Sequence, residues 1–223
     1  MIKITCVHTA AGPAVIALIE REIKTAVGVP CVVSHLTLPE VIADVVDHGR
    51  VTEAAAAKLL RAYDFCRSTG TDIVLNVCSS VGAIADKARD VYAVAGMPLV
   101  RIDEAMCREA VKRHRRIGMM GTLSTTLEPS VDLLVKVAGE SGAEISVRPI
   151  LAEGGFGKSQ EELNRLLCDT LDRNMADLDA VVLAQASMAL AEDELVASSG
   201  LPVYSSPGCA AKQLALLVKD MRL

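Results

Sequence analysis

The stretch NVCSSVG, residues 76–82, places a thiol directly behind an apolar run and directly ahead of a segment with helical patterning. A residue at such a junction sits at the carboxyl edge of a sheet. The start of the following helix carries partial positive charge and unpaired amides, which favour a thiolate. The amides and hydroxyls of Ser79 and Ser80, with Asn76 just upstream, suit a carboxylate or an oxyanion. Cys78 is therefore the candidate acid, base or nucleophile. The other cysteines are Cys6, Cys31, Cys66, Cys107, Cys168 and Cys209. They fall within strands or helices and read as small packing residues. Cys209 alone among them opens a helix, in SSPGCAAKQ.

Hydroxyls gather at the same kind of edge. GTLSTT, residues 121–126, follows the apolar run IGMM and opens a helix, so Thr122, Ser124, Thr125 and Thr126 are candidate donors to a substrate carboxylate. One of them is expected to cap the helix. His8 and Thr9 end the first strand at that edge, and His8 titrates near neutrality, which suits a proton carrier. His35, His48 and His114 show no chemical partner in the sequence. No P-loop, GxGxxG or HExxH string occurs, and the glycines of LAEGGFGK (151–158) have the wrong spacing for a phosphate cradle. The scattered cysteines form no CxxC pair, so neither a zinc site nor a disulfide framework is expected. No metal and no cofactor are called for.

These residues need elements that hold them at strand ends. Strand-length apolar runs occupy 2–7, 31–36, 72–77, 98–100, 116–120, 144–149, 179–184 and 202–204. Helical patterns occupy 13–26, 39–48, 52–68, 80–95, 103–114, 127–141, 159–177, 188–199 and 207–221. The alternation predicts βαβ units and parallel sheets. Thr52, Asp103 and Ser159 are the expected caps, Ser159 with Glu162 three residues on.

The chain also repeats itself. TDIVLNVCSSV (71–81) set on LDAVVLAQASM (178–188) puts Asp72 on Asp179, Cys78 on Gln185 and Ser80 on Ser187. Both segments run through a helix to Gly-x-Pro, at Gly96–Pro98 and Gly200–Pro202. CVHTAAGP on MMGTLSTT puts Thr9 on Thr122. The expectation is two similar α/β halves with flavodoxin-like parallel sheets, related by a pseudo-twofold. Residues 1–100 with 206–223 form one half and 101–205 the other. Such halves bind ligands in the crevice at the carboxyl ends of their strands.

Composition narrows the function. Of 223 residues, 51% are hydrophobic but only 2% aromatic, so the core must be aliphatic. The net charge of −5 and the absence of aromatics around KRHRR (112–116) argue against nucleic-acid binding. The N-terminal MIKITCVHT reads as a strand rather than a signal peptide. No apolar run reaches the roughly 18 residues of a membrane span. A soluble, cytoplasmic protein is expected.

The paired halves, the NVCSS junction, the GTLSTT turn and DAVVLAQASMA together resemble the aspartate/glutamate racemase superfamily. That group holds amino-acid, hydantoin and allantoin racemases, maleate isomerase and arylmalonate decarboxylase. The resemblance covers nearly the whole chain. It implies cofactor-independent chemistry on a small carboxylate, with the active site in the cleft between the halves, and assembly into homo-oligomers. Family racemases use two cysteines on opposite substrate faces. By the resemblance Cys78 is the first, and Gln185 stands where the second is expected. An amide does not exchange a proton as a thiol does, so the resemblance implies one-thiol chemistry. The implied activities are a racemase or isomerase, a one-thiol decarboxylase or other lyase, or a silent carboxylate-binding protein. Cys78 and His8 are the implied catalytic groups. Thr9, Asn76, Ser79, Ser80, Thr122, Thr125, Gln185 and Ser187 are the implied substrate contacts.

Overall fold

A computed structural model describes residues 1–221. In chain order the elements are β1 (Ile2–His8), α1 (Pro13–Val27), β2 (Cys31–Thr37), α2 (Pro39–His48), α3 (Glu53–Ser68), β3 (Ile73–Val77), α4 (Gly82–Val94) and β4 (Leu99–Arg101). Next come α5 (Glu104–Arg113), β5 (Arg116–Gly121), α6 (Ser124–Ser141), β6 (Ser146–Leu151), α7 (Gln160–Asn174), β7 (Ala180–Leu183), α8 (Glu192–Ser199), β8 (Val203–Tyr204) and α9 (Ser206–Asp220). A 3₁₀ turn, Ser79–Val81, precedes α4, and another, Ala186–Ala191, precedes α8.

The chain divides into two compact units, residues 1–102 with those from 207 on, and residues 103–206. Each is built on its own four-stranded parallel sheet, in the order β2-β1-β3-β4 in the first and β6-β5-β7-β8 in the second. The expected α/β halves and parallel sheets are thus present, and the two strand orders are equivalent.

The reason lies in the sequence pattern. β3 and β7 are buried along their whole length and, Asn76 apart, are aliphatic, as suits strands covered on both faces. In the first unit, Val7, Val74, Leu59, Val81 and Leu99 form one core layer with Tyr63 and Tyr92, whose rings meet edge to face at 5.7 Å. In the second, Met120, Val181, Leu183, Leu167 and Leu195 do the same work.

Details of the repeat are physical as well as textual. The Asp72 carboxylate accepts from the Lys3 amide at 2.7 Å, and Asp179 accepts from the Arg116 amide at 2.9 Å. Each aspartate thus ties the start of its half's central strand. Pro98 and Pro202 offer their carbonyls to Val74 and Val181 at 3.0 and 2.9 Å. Gly96 and Gly200, at φ 81° and 68°, take the left-handed turn that ends the helix before each Gly-x-Pro.

Two expected caps form. The Thr52 hydroxyl accepts from the Ala55 amide, and Ser159 closes a capping box with Glu162. Asp103 does not cap: its backbone is already helical, so its side chain makes no cap hydrogen bond. The GTLSTT segment differs too. Helix α6 begins at Ser124 rather than 127, and Leu123 takes the cap position without a side-chain bond. None of the four hydroxyls caps it, because Thr122 is drawn to another partner.

Candidate active site

Parallel register brings the first candidates together. His8 lies opposite Val77 on the β1–β3 ladder, so Thr9 and Cys78 leave the sheet side by side. Cys78 remains extended, at φ −158° and ψ 112°, and the 3₁₀ turn starts behind it. Burial is the main influence on its thiol and raises it above the ordinary range. The Thr9 hydroxyl, the amides of Val81 and Ser80 and the Ser80 hydroxyl pull the other way without overcoming it. The sequence suggested that the helix start would favour a thiolate. The donors are there, but desolvation outweighs them. The resting group is a protonated thiol with four donors arranged for the thiolate it forms on giving up its proton.

Behind the thiol lies a chain of buried polar groups. The Tyr63 hydroxyl donates to Asn76 Oδ1 at 2.9 Å, and Asn76 Nδ2 donates to the Cys78 carbonyl at 3.0 Å. Asn76 is 1% exposed. With both ends of its amide engaged, it holds the backbone of Cys78. Tyr63, within α3, carries no signal in the sequence beyond that of a core aromatic. Ser79 and Ser80 are buried at the turn.

The second half repeats this arrangement with different chemistry. Gln185 follows β7 in extended conformation, at φ −124° and ψ 135°, and heads its own 3₁₀ turn. Its Oε1 accepts from the Thr122 amide at 2.7 Å and the Thr122 hydroxyl at 2.8 Å. Thr9 thus serves Cys78 as Thr122 serves Gln185. Because an amide N–H must face an acceptor, the orientation of the Gln185 side chain is fixed and its Nε2 hydrogens are left to donate. Thr125 Oγ1 is buried without a hydrogen-bond partner at the start of α6. Ser187, like Ser80 the second residue of its turn, is partly exposed.

His8 belongs to a different group from Cys78. Val7 packs in the same core layer as Cys78. Successive strand residues face opposite sides, which sends the His8 ring to the other face of the sheet. There its Nε2 meets His35 Nδ1 at 2.9 Å. Burial, and then His35, hold His8 down to about 4, so it is neutral at physiological pH. In this arrangement the partner of His8 is His35 and not Cys78, a pairing that the sequence did not show. His114, also without a visible partner in the sequence, bonds the Tyr204 hydroxyl at 2.9 Å.

The model of the Asp/Glu/hydantoin racemase family matches residues 4–214. The chain belongs to this family. Solved structures of family enzymes share its fold. A glutamate racemase isoform, RacE1, of Bacillus anthracis is 12% identical, with a TM-score of 0.73, over 99% of this chain and 82% of that one. An allantoin racemase of Klebsiella pneumoniae is 17% identical, with a TM-score of 0.67, over 100% and 89%. An aspartate racemase of Picrophilus torridus is 10% identical, with a TM-score of 0.69, over 96% and 94%. At these identities the likeness speaks for the fold. No curated protein matches by sequence. Among the described residues, no helix is long and apolar enough to cross a membrane.

Proposed function

We propose that the protein is a cofactor-independent racemase-family isomerase of a small carboxylate, working with one thiol, Cys78, as its acid and base. The observation that carries this reading is the register that sets Thr9 beside the partly buried Cys78 at the end of β3, directly ahead of the turn at Ser79 and Ser80. A proton beside a carboxylate is very weakly acidic, and its removal or return requires a group that can pass between a protonated and a deprotonated state. The Cys78 donors supply that for a thiolate. In the unit that carries the thiol, the buried turn at Ser79 and Ser80 is the group we assign to the substrate's oxygens, where preorganised donors stabilise the developing enediolate; Thr125 Oγ1, the Nε2 hydrogens of Gln185 and Ser187 are donors of the same kind within the second unit.

A second reading is favoured by the raised thiol. A thiol protonated at rest is ready to deliver a proton to one face of a carbanion, as a one-thiol decarboxylase or other lyase requires. The test is solvent exchange in D₂O with a panel of small carboxylates bearing an α-hydrogen or an α-carboxyl group. Deuterium should enter at the α-carbon, and Cys78→Ala should lower the rate by at least about 10²-fold, the lower end of what a positioned acid or base contributes. Exchange with loss of CO₂ supports the lyase. Full exchange in the Cys78→Ala protein removes the thiol from the mechanism. Carboxylate binding without exchange or CO₂ release in the wild type identifies a binding protein.

A further inference from the structure

We propose that Cys6, His8 and His35 form a binding site for a single Zn²⁺ ion on the face of the first sheet opposite Cys78. Three observations lead there. First, strand register assembles the ligands. Cys6 lies directly opposite His35 on the β1–β2 ladder, and His8, two residues further on, points to the same side. One ligand atom from each residue lies within 4.8 Å of the other two. Second, the groups are poorly satisfied as they stand. Cys6 and His8 are fully buried, and His8 Nδ1 and His35 Nε2 have no hydrogen-bond partner. Buried polar atoms are ordinarily paired, and a sheet face of this kind would pack as well with aliphatic residues. Third, the chemistry is of one kind. A thiol and two neutral imidazoles are the N/S ligand set that zinc prefers.

The facing nitrogens, His8 Nε2 and His35 Nδ1 at 2.9 Å, share one proton. A cation bound to both of those nitrogens moves that proton to the other nitrogen of its own ring and displaces the proton of the Cys6 thiol, so binding releases one proton to solvent. Zinc bonds of about 2.0–2.3 Å place tetrahedral ligand atoms about 3.3–3.6 Å apart. The imidazoles need only spread slightly while the sulfur draws in. Glu20, on α1, places Oε2 3.8 Å from His35 Nε2. That is beyond hydrogen-bond reach as the ring stands, but a small shift of the ring on binding would bring its remaining N–H to this carboxylate, the arrangement found behind zinc-bound histidines. The spacing Cys-x-His gave no sign of a site in the sequence, because its third member comes from the neighbouring strand.

The test uses the full chain, stripped with chelator at neutral pH and titrated with Zn²⁺, and with Co²⁺ as an optical probe. One equivalent should bind, and the Co²⁺ form should show a thiolate-to-metal charge-transfer band. The band should persist in Cys78→Ser and vanish in Cys6→Ser. His35→Gln, at a less buried position and close in volume, should retain the fold by circular dichroism and weaken Zn²⁺ binding at least tenfold. A band that survives Cys6→Ser, a band lost in Cys78→Ser, unchanged affinity in His35→Gln, or no saturable binding at one equivalent overturns the proposal.

Discussion

A thiol that burial keeps protonated reacts as an acid before it reacts as a base, and the rest of the Cys78 neighbourhood follows from that order. Its alkylation by iodoacetamide should rise with pH to a midpoint above the roughly 8.5 of a free cysteine, read peptide by peptide to separate it from the other thiols. A midpoint below that value would mean that the donors outweigh burial. The backbone of Cys78 is held by Asn76 and Asn76 by Tyr63. Tyr63→Phe leaves a buried amide oxygen unpaired, which costs about 1–3 kcal/mol. Urea unfolding should register that loss, and the turnover number should fall more than the Michaelis constant rises, since the thiol and not the substrate is displaced. At this scale the sequence was legible where two residues sit at matching junctions. The equivalence of Cys78 with Gln185, and of Thr9 with Thr122, follows from aligning the chain on itself; that each threonine meets the junction residue of its own half is added by the structure. Tyr63 did not follow, because a helix-borne tyrosine reads as core until its hydroxyl is seen to have a partner. The side taken by His8 was hidden for a related reason: its position at the strand end was plain, but only the packing of Val7 reveals which face its ring occupies.

Among the elements, strands and helices were legible because their periods differ and because Gly-x-Pro and the serine and threonine caps punctuate them. Asp103 misled because an aspartate before a helix looks like a cap even where its backbone has already turned helical. The two aspartates that open β3 and β7 were visible as a repeat, but their purpose was not. Asp179 is held down to about 2, first by the Arg116 side chain and then by the Arg116 amide. A carboxyl depressed in the folded state contributes stability that is fully present above its ordinary value of 3.8 and is lost as pH falls through about 2. The urea midpoint of Asp179→Asn should therefore lie below that of the wild type at neutral pH. The gap should close as the pH is taken down towards 2. A gap that stays constant across that range would assign the tie to the backbone amides alone.

The whole molecule is one design used twice with unequal endings. Each half orders its strands alike, ties its central strand with an aspartate and sets a threonine beside the residue that follows its third strand. Only that residue differs, thiol in one half and amide in the other. Gln185→Cys removes the difference. The Thr122 amide and hydroxyl, which now meet Gln185 Oε1, would face the new sulfur as Thr9 faces Cys78. The expected outcome is one additional alkylatable thiol, read by mass spectrometry of the labelled peptide that carries residue 185; no label there would mean that the Thr122 contacts close off the new sulfur.

The Gln185 side chain has one further consequence. Its oxygen accepts two hydrogen bonds from Thr122, and so has no lone pair left to offer. What remains is an NH₂ group that can only give hydrogens. This amide reads lone pairs and offers nothing to N–H and ammonium groups. A molecule that turns a carboxylate or carbonyl oxygen towards it is welcomed. One that turns an α-ammonium towards it finds no acceptor in that amide and meets hydrogen against hydrogen. The selectivity to look for is thus one of hydrogen-bond polarity, favouring hydroxy, oxo and dicarboxylic acids over zwitterionic amino acids.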